Sequence, residues 1–432
     1  MDETIKKKIE NIPFFESYDE SLKKIKLKGV TKLPRALWEL SDHIDILEAN
    51  GGELSKLDND FAEIGLKAAF FCRNKFKYTP EALYESKSTE IVAFYENDLL
   101  EIPEKTLSPE TKWLMISNNP KLSSTSFLKD LKKIKKLAAL NCGFQKLDPS
   151  VLELKELEFF RCGLNNFQEP IIELLYKLPK LAWFSDSENP YSFQPNLKFD
   201  SFSRFNEHQI LEKSPLDAGN RSSIEKILIK DLGYHVLKTY DSSLSSDGST
   251  LNEFLAAFCI GAECDATSKT IGSFYQGEKL QGIVQEIIPQ NFKKLGNVPN
   301  FKTITRDTFG NHIALTNEFI KNVLRDVSYS CKYVFSKGVS HGDIYAHNVL
   351  ANQTGNAKLI DWGAACMFDP NASEASKREK IEVRAFGYLI DDLLQLQPTK
   401  DENLYAIKNA CLNLKASHRP SFKEISELLN KL

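Results

Sequence analysis

The pattern L-x-x-L-x-L-x-x-N-x-L recurs through the first 190 residues, and it constrains the chain more than any other feature. A clear copy is Leu66, Ala69, Phe71, Asn74, Phe76, Thr79 and Pro80. The same register fits Ile44, Leu47, Ala49, Leu54 and Leu57, then Thr89, Val92, Phe94, Asn97, Leu99 and Ile102, then Thr111, Leu114, Ile116 and Asn119. Further copies run through Ile134, Leu137, Ala139 and Cys142, through Leu154, Leu157, Phe159 and Cys162, and through Leu178, Leu181 and Trp183. With a worn first copy at Ile25, Val30, Leu33 and Pro34, the starts fall at 20, 44, 66, 89, 111, 134, 154 and 178, in steps of 20 to 24 residues. A unit that short supplies one strand and a return loop, and its apolar positions are buried only when a neighbour stacks on them. The spacing therefore predicts a solenoid of short parallel strands. Asn in the ninth position supplies an amide for backbone groups where the chain turns, and Cys142 and Cys162 are expected in that slot.

This is the pattern of a leucine-rich repeat, assigned here to residues 1–195. In that register Phe70, Tyr95, Met115, Leu140, Phe160 and Phe184 point away from the solenoid core, with Trp113 close by. A solvated sheet face is normally polar, so an apolar stripe on the concave side predicts docking of a protein partner or substrate, or of this chain's own second domain. The lysine-rich run Lys129–Lys136 is expected to be a solvated rim.

Length and composition set the remaining bounds. At 432 residues the chain exceeds one ordinary core and predicts two domains. A net charge of −3 offers no general attraction to nucleic acid or an anionic membrane. The start, Met1-Asp2-Glu3-Thr4 and then three lysines, lacks the apolar core of a secretory signal, and no apolar run is long enough to span a bilayer. The eight cysteines form no CxxC pair, which predicts reduced and mostly buried thiols in a cytoplasmic setting. Delivery into a host by a route without a signal peptide escapes that test.

Turn signals at Asn189-Pro190 and Gln194-Pro195 mark the expected boundary, after which the pattern changes. Ile224–Ile229 and Tyr234–Thr239 read as strands flanking a Gly turn, with Lys238 near the end of the second. Leu251–Phe258 reads as a helix carrying Glu253. Gly282–Pro289 reads as a strand leading to a connector, where Glu286 and Ile287 would present backbone groups to a base. Ile320, Val323, Leu324, Val327, Cys331 and Val334 recur at helical spacing. This helix runs into His341-Gly342-Asp343-Ile344-Tyr345-Ala346-His347-Asn348, and Ala357–Ile360 delivers Asp361-Trp362-Gly363. An Asp that orients a hydroxyl, an Asn five positions on and a second Asp eighteen positions on form the residue grammar of phosphoryl transfer. Ser421 and Glu424 fit a capping box on a last helix.

On these motifs residues 196–432 resemble the protein-kinase-like superfamily, and the pairing with repeats is similar to bacterial leucine-rich-repeat protein kinase family proteins. The implied fold class is multidomain α/β plus α+β, a leucine-rich repeat solenoid followed by a bilobal protein-kinase-like domain, with an N-lobe at about 200–287 and a C-lobe at about 290–432. The resemblance implies ATP and Mg²⁺ as cofactors, Lys238 on the phosphates, Glu253 as its ion-pair partner, Asp343 as catalytic base, and Asn348 and Asp361 as metal ligands. It further implies that Glu382–Gly387 begins the long helix beneath the catalytic loop and that Arg419 is a structural arginine.

The departures are specific. Asp217–Ser222 keeps only Gly219 of a glycine-rich loop. Gly342 replaces the usual arginine before the catalytic Asp, no Ala-Pro-Glu follows Asp361, and Tyr345 stands where Ser/Thr kinases place a lysine. The string is also similar to aminoglycoside and choline-type phosphotransferases, and the worn glycine loop leaves a pseudokinase scaffold as a third reading. His347 is a further candidate for contact with a substrate phosphate.

Overall fold

The computed structural model describes residues 2–195, 202–218, 222–240, 244, 247–310 and 315–432. The chain divides into two compact units, Met1–Leu181 with Asn189–Tyr191, and Ala182–Glu188 with Ser192–Leu432. Residues 182–188 thus group with the C-terminal unit, ahead of the turn-rich boundary expected near 195.

The first unit opens with helix α1 (Glu3–Glu10), capped by Asp2. Strand β1 (Phe15–Asp19) pairs antiparallel with β2 (Lys24–Lys28). From β2 onward the strands are parallel: β3 (Ile46–Asn50), β4 (Ala68–Phe70), β5 (Ile91–Ala93), β6 (Trp113–Met115), β7 (Lys136–Ala138) and β8 (Phe159–Arg161). Return segments are mostly loops and 3₁₀ turns, with single α-turns at α2 (Ala36–Glu39) and α3 (Ile172–Leu175). Pairing aligns Leu47, Ala69, Val92, Leu114, Leu137 and Phe160 in one row, and each is essentially without solvent exposure.

Asn side chains join successive copies. Asn74, Asn97 and Asn119 donate to the carbonyls of Ala49, Phe71 and Phe94, while their amide oxygens accept from the N–H groups of Leu54, Phe76 and Leu99. Each buried side chain satisfies backbone groups that the turning strand leaves without ladder partners. The Cys142 thiol takes the same slot, 3.3 Å from the Ile116 carbonyl.

Cys162 does not. Asn165 donates to the Ala139 carbonyl and accepts from Phe144 N–H, so this copy reads Leu157, Phe160, Cys162, Asn165, three residues later than the sequence register. The shift explains why Phe160, expected outside, is 1% exposed. Leu140 and Phe184 are also buried, the latter in the second unit, while Phe70, Tyr95, Trp113 and Met115 are half-buried. None of these seven is exposed. Asn118 donates to the Tyr95 hydroxyl, and the Lys136 ammonium lies 4.4 Å from the Trp113 ring centre. On the rim, Lys129, Lys132 and Lys133 pair with Glu104, Glu153 and Glu110.

In the second unit β9 (Trp183–Ser185) precedes a six-stranded sheet of order β10-β14-β15-β13-β12-β11. Its strands are β10 (Ser203–Asn206), β11 (Ile210–Ala218), β12 (Ser222–Ile229), β13 (Gly233–Tyr240), β14 (Thr270–Gln276) and β15 (Lys279–Gln285), and α4 (Thr250–Ile260) lies between β13 and β14 in sequence. Phe205, Ile227, Ile229, Leu237, Phe274 and Val284 form one core cluster, and Phe254, Ala257, Phe258 and Ile283 a second. Gly282 is required where β15 passes β13, because a Cβ there would lie 2.4 Å from the Lys238 carbonyl.

The remainder comprises β16 (Lys293–Lys294), α5 (Asn317–Ser336), β17 (Val339–Ser340), β18 (Val349–Ala351), β19 (Ala357–Leu359), β20 (Cys366–Met367), α6 (Ala375–Leu394), α7 (Glu402–Cys411) and α8 (Phe422–Leu429). Both halves of the Ser421–Glu424 capping box form. Buried Arg419 donates to the carbonyls of Asn413 and Lys380. Among the described residues no helix is long and apolar enough to cross a membrane.

Asn119 tests the amide ladder. Asn119→Ala strands the Leu99 N–H and the Phe94 carbonyl in the interior, and a buried group left unsatisfied costs about 1–3 kcal/mol. Urea unfolding of the full chain is expected to show a loss of that size.

Candidate active site

Five polar side chains named by the sequence fall into two clusters joined by one hairpin. Lys238, on β13, donates to Glu253 of α4 at 2.5 Å and lies 3.6 Å from an Asp361 carboxylate oxygen. Lys238 and Glu253 are largely buried, whereas Asp361 keeps 53% of its side-chain surface. Burial alone would lower the Lys238 pKa, but the carboxylates of Asp361 and Glu253 outweigh it and raise the ammonium above its ordinary value. Lys238 in turn holds the Asp361 carboxyl below the usual range. Asp361 therefore stands as an anion at the mouth of the cluster. Its φ of +68° is uncommon for a residue with a side chain, and such strain collects at functional positions.

The second cluster lies on the loop between β17 and β18. The Asn348 amide donates to an Asp343 carboxylate oxygen at 2.8 Å and to the Asp343 carbonyl at 3.0 Å. These bonds orient the Asn348 amide nitrogen toward Asp343, leaving its oxygen as the atom suited to a cation. Asp343 N–H donates to His341 Nδ1 at 3.1 Å, so His341 Nε2 carries the proton and donates to the Ile360 carbonyl at 3.0 Å. Ile360 N–H donates to the Asn348 carbonyl, and β18 pairs antiparallel with β19. The loop bearing Asp343 is thereby bonded directly to the residue before Asp361.

Beneath the loop Glu382, fully buried on α6, accepts from Gly342 N–H at 2.5 Å. Gly342 has φ +73°, and a Cβ there would meet the Ala364 carbonyl at 2.5 Å and the Phe184 carbonyl at 3.0 Å. Glycine before Asp343 is thus a steric requirement. Trp362 packs at 4.6 Å on the His341 ring and donates to Ser268. From the other side Asn252, next to Glu253, donates to the Ala365 carbonyl at 2.7 Å.

Other sequence candidates separate from these clusters. Glu286 and Ile287 follow β15 in an exposed connector, and Glu286 N–H is committed to the Lys269 carbonyl. Gly219 lies outside the described residues. His347 pairs with buried Asp307 at 2.7 Å and stacks on Tyr345 at 4.9 Å. Burial opposes its protonation, but Asp307 prevails and raises its pKa. Tyr345 is 4% exposed and takes no surface position comparable to a lysine. Asn252, Asp307 and the hydrogen-bonding role of Glu382 carried no motif.

Residues 268–380 match the protein kinase domain family. That stretch includes Asp343, Asn348 and Asp361 and excludes Lys238 and Glu253. Over 52 residues, 12% of this chain and 18% of the relative, the sequence is 36% identical to the "Probable serine/threonine-protein kinase FPV226" of Fowlpox virus (strain NVSL). Over 105 residues, 20% of this chain and 9% of the relative, it is 29% identical to the serine/threonine-protein kinase CST20 of Candida albicans (strain WO-1). The chain therefore spans less than a fifth of each of these relatives.

Burial pushes the Glu382 carboxyl up to about 8, although the N–H groups of Gly342 and His341 pull the other way. The folded state then holds a proton that an unfolded carboxyl, at 4.5, has released. The associated stabilisation is fully present below the unfolded value and is lost as pH rises through about 8. A melting temperature that declines between pH 5 and 8.5 is expected for the native chain, with a flatter profile for Glu382→Gln.

Proposed function

We propose that the chain is an ATP- and Mg²⁺-dependent protein kinase acting on serine or threonine hydroxyls, and that its N-terminal unit is a leucine-rich repeat solenoid that engages a protein partner or substrate. The observation that carries the reading is the convergence of Lys238, Glu253 and Asp361 beside a loop on which Asn348 orients Asp343. Packing stability alone does not call for such a set. Burying Lys238 and Glu253 costs desolvation that their mutual attraction offsets only in part.

The donor set fits Mg²⁺. An anionic carboxylate on Asp361 and an amide oxygen on Asn348 are hard ligands of the kind this ion takes alongside water and phosphate oxygens. When bound there, Mg²⁺ would neutralise charge developing on the transferred phosphate. Lys238, prepositioned by Glu253, is placed to hold the α- and β-phosphates. Asp343 accepts the hydroxyl proton while the acceptor oxygen forms its bond to the γ-phosphorus. The bond from that phosphorus to the bridging oxygen breaks, and ADP leaves with the electron pair. Asn348 keeps the Asp343 carboxylate from rotating, which is the positioning part of the rate.

The solenoid reading rests on the parallel strand rows and the Asn ladder. A small-molecule phosphotransferase is favoured by one feature, the short stretch between Asp361 and α6, which leaves little platform for a peptide.

Transfer of radiolabelled γ-phosphate by the purified full chain, sorted into protein-bound, small-molecule and free-phosphate pools, tests the reading. Label is expected on protein, and Asp343→Asn is expected to lower the rate by about 10²–10⁴-fold, the range of a positioned general base. Asp361→Ala is expected to weaken Mg·ATP binding as well. Label that appears only on small molecules, or turnover unchanged in both variants, sinks the proposal.

A further inference from the structure

The seven residues Ala182–Glu188 belong to the catalytic unit, yet they stand more than 150 positions before the loop that they touch. The Trp183 indole is stacked on Tyr345, with ring centres 4.3 Å apart and planes 3° apart, and on Tyr388 of α6 at 5.1 Å. Its N–H donates to the Ile344 carbonyl at 2.9 Å. Ile344 and Tyr345 directly follow Asp343. The stack continues through Tyr345 to His347 and its partner Asp307, so one column of rings runs along the catalytic loop.

Asp186 anchors the segment. Both of its carboxylate oxygens accept from Arg378 of α6 at 2.7 Å, and the pair is almost wholly buried. Asp186 N–H and the Ser185 hydroxyl each lie 3.3 Å from the Cys366 sulfur on β20, five residues beyond Asp361. The Phe184 carbonyl occupies space that a side chain at position 342 would need. At the far end, Glu188 accepts from the Ser249 hydroxyl at 2.6 Å. Ser249 is the N-cap of α4, whose first turn carries Glu253.

We propose that residues 182–188 form a built-in brace for phosphotransfer, with Trp183 positioning the loop of Asp343 and Glu188 positioning the helix of Glu253. This inference rests on the kinase reading of the same site. A kinase needs its catalytic loop, the strand after the metal-binding Asp and the helix bearing the Glu held together at once. Here one short segment contacts all three, adding to the links that Trp362 and the Ala365 carbonyl make to His341 and Asn252. The bracing is covalently continuous and always present, so the site is preorganised without a phosphorylated activation segment. Trp183 and Glu188 are positioning residues; neither is assigned contact with substrate.

The test uses the full chain with Trp183→Leu, Trp183→Phe and Glu188→Ala. Turnover is followed with ATP and casein, and amide hydrogen exchange is measured on the same samples. Trp183→Leu is expected to lower kcat at least tenfold with the KM for ATP within twofold. Trp183→Phe, which keeps the ring, should recover at least a third of the native kcat. Glu188→Ala is expected to raise the KM for ATP at least threefold with a smaller effect on kcat. Exchange should rise selectively in 341–348 for Trp183→Leu and in 249–256 for Glu188→Ala.

If all variants merely melt earlier, with native kcat and KM per folded molecule and uniform exchange, the segment is ordinary core and the brace is overturned. A native chain that transfers no phosphate defeats the kinase reading instead, and the exchange pattern then decides the brace without turnover. Should Trp183→Leu not fold, the exchange and kinetics of Trp183→Phe and Glu188→Ala decide it.

Discussion

A lysine ammonium held between two carboxylates in a poorly solvated place is the interaction on which the C-terminal unit turns. Lys238 comes from a strand, Glu253 from a helix and Asp361 from the end of a hairpin, so their attraction is satisfied only when all three elements pack correctly. The coupling runs further than the triad. Asp361 is reached through Ile360, whose carbonyl accepts from His341 and whose N–H donates to Asn348. Charge pairing in one cluster is thus bonded, through two backbone groups, to the orientation of Asp343 in the other. Such interlocking favours a single arrangement, because a partly satisfied buried network is costly.

The first unit solves a different problem by repetition. Strands of three to five residues cannot bury themselves, and each copy leaves backbone groups turning away from any ladder. The carboxamide of Asn has both a donor and an acceptor, and so satisfies a carbonyl and an N–H of the preceding copy at once. A thiol at Cys142 supplies only the donor half, which a sequence pattern cannot distinguish from the full role.

Periodic features were therefore legible and aperiodic ones were not. The strands, α5 and the capping box follow from spacing and short motifs, and the pairing of Lys238 with Glu253 from the kinase resemblance, whereas α6 begins at Ala375, seven residues before the expected start at Glu382. At Leu157 the sequence register slips because Leu154 is also apolar and a shift of three keeps most apolar positions filled; the Asn165 hydrogen bonds and the pairing of Phe160 with Leu137 decide it. Half of the stripe expected to be exposed is buried, partly for the same reason. Asp186 with Arg378 and Trp183 with Tyr345 join residues 192 and about 160 positions apart, and no local pattern announces such pairs. Trp183 itself reads as one more apolar repeat position.

Gly342 limits what its own position can ever carry. Its left-handed backbone and the two carbonyls crowding its missing Cβ mean that an arginine there would have to displace main chain on both sides. A long basic side chain reading a phosphate is therefore sterically closed to this position, and any group with that role would have to come from another surface.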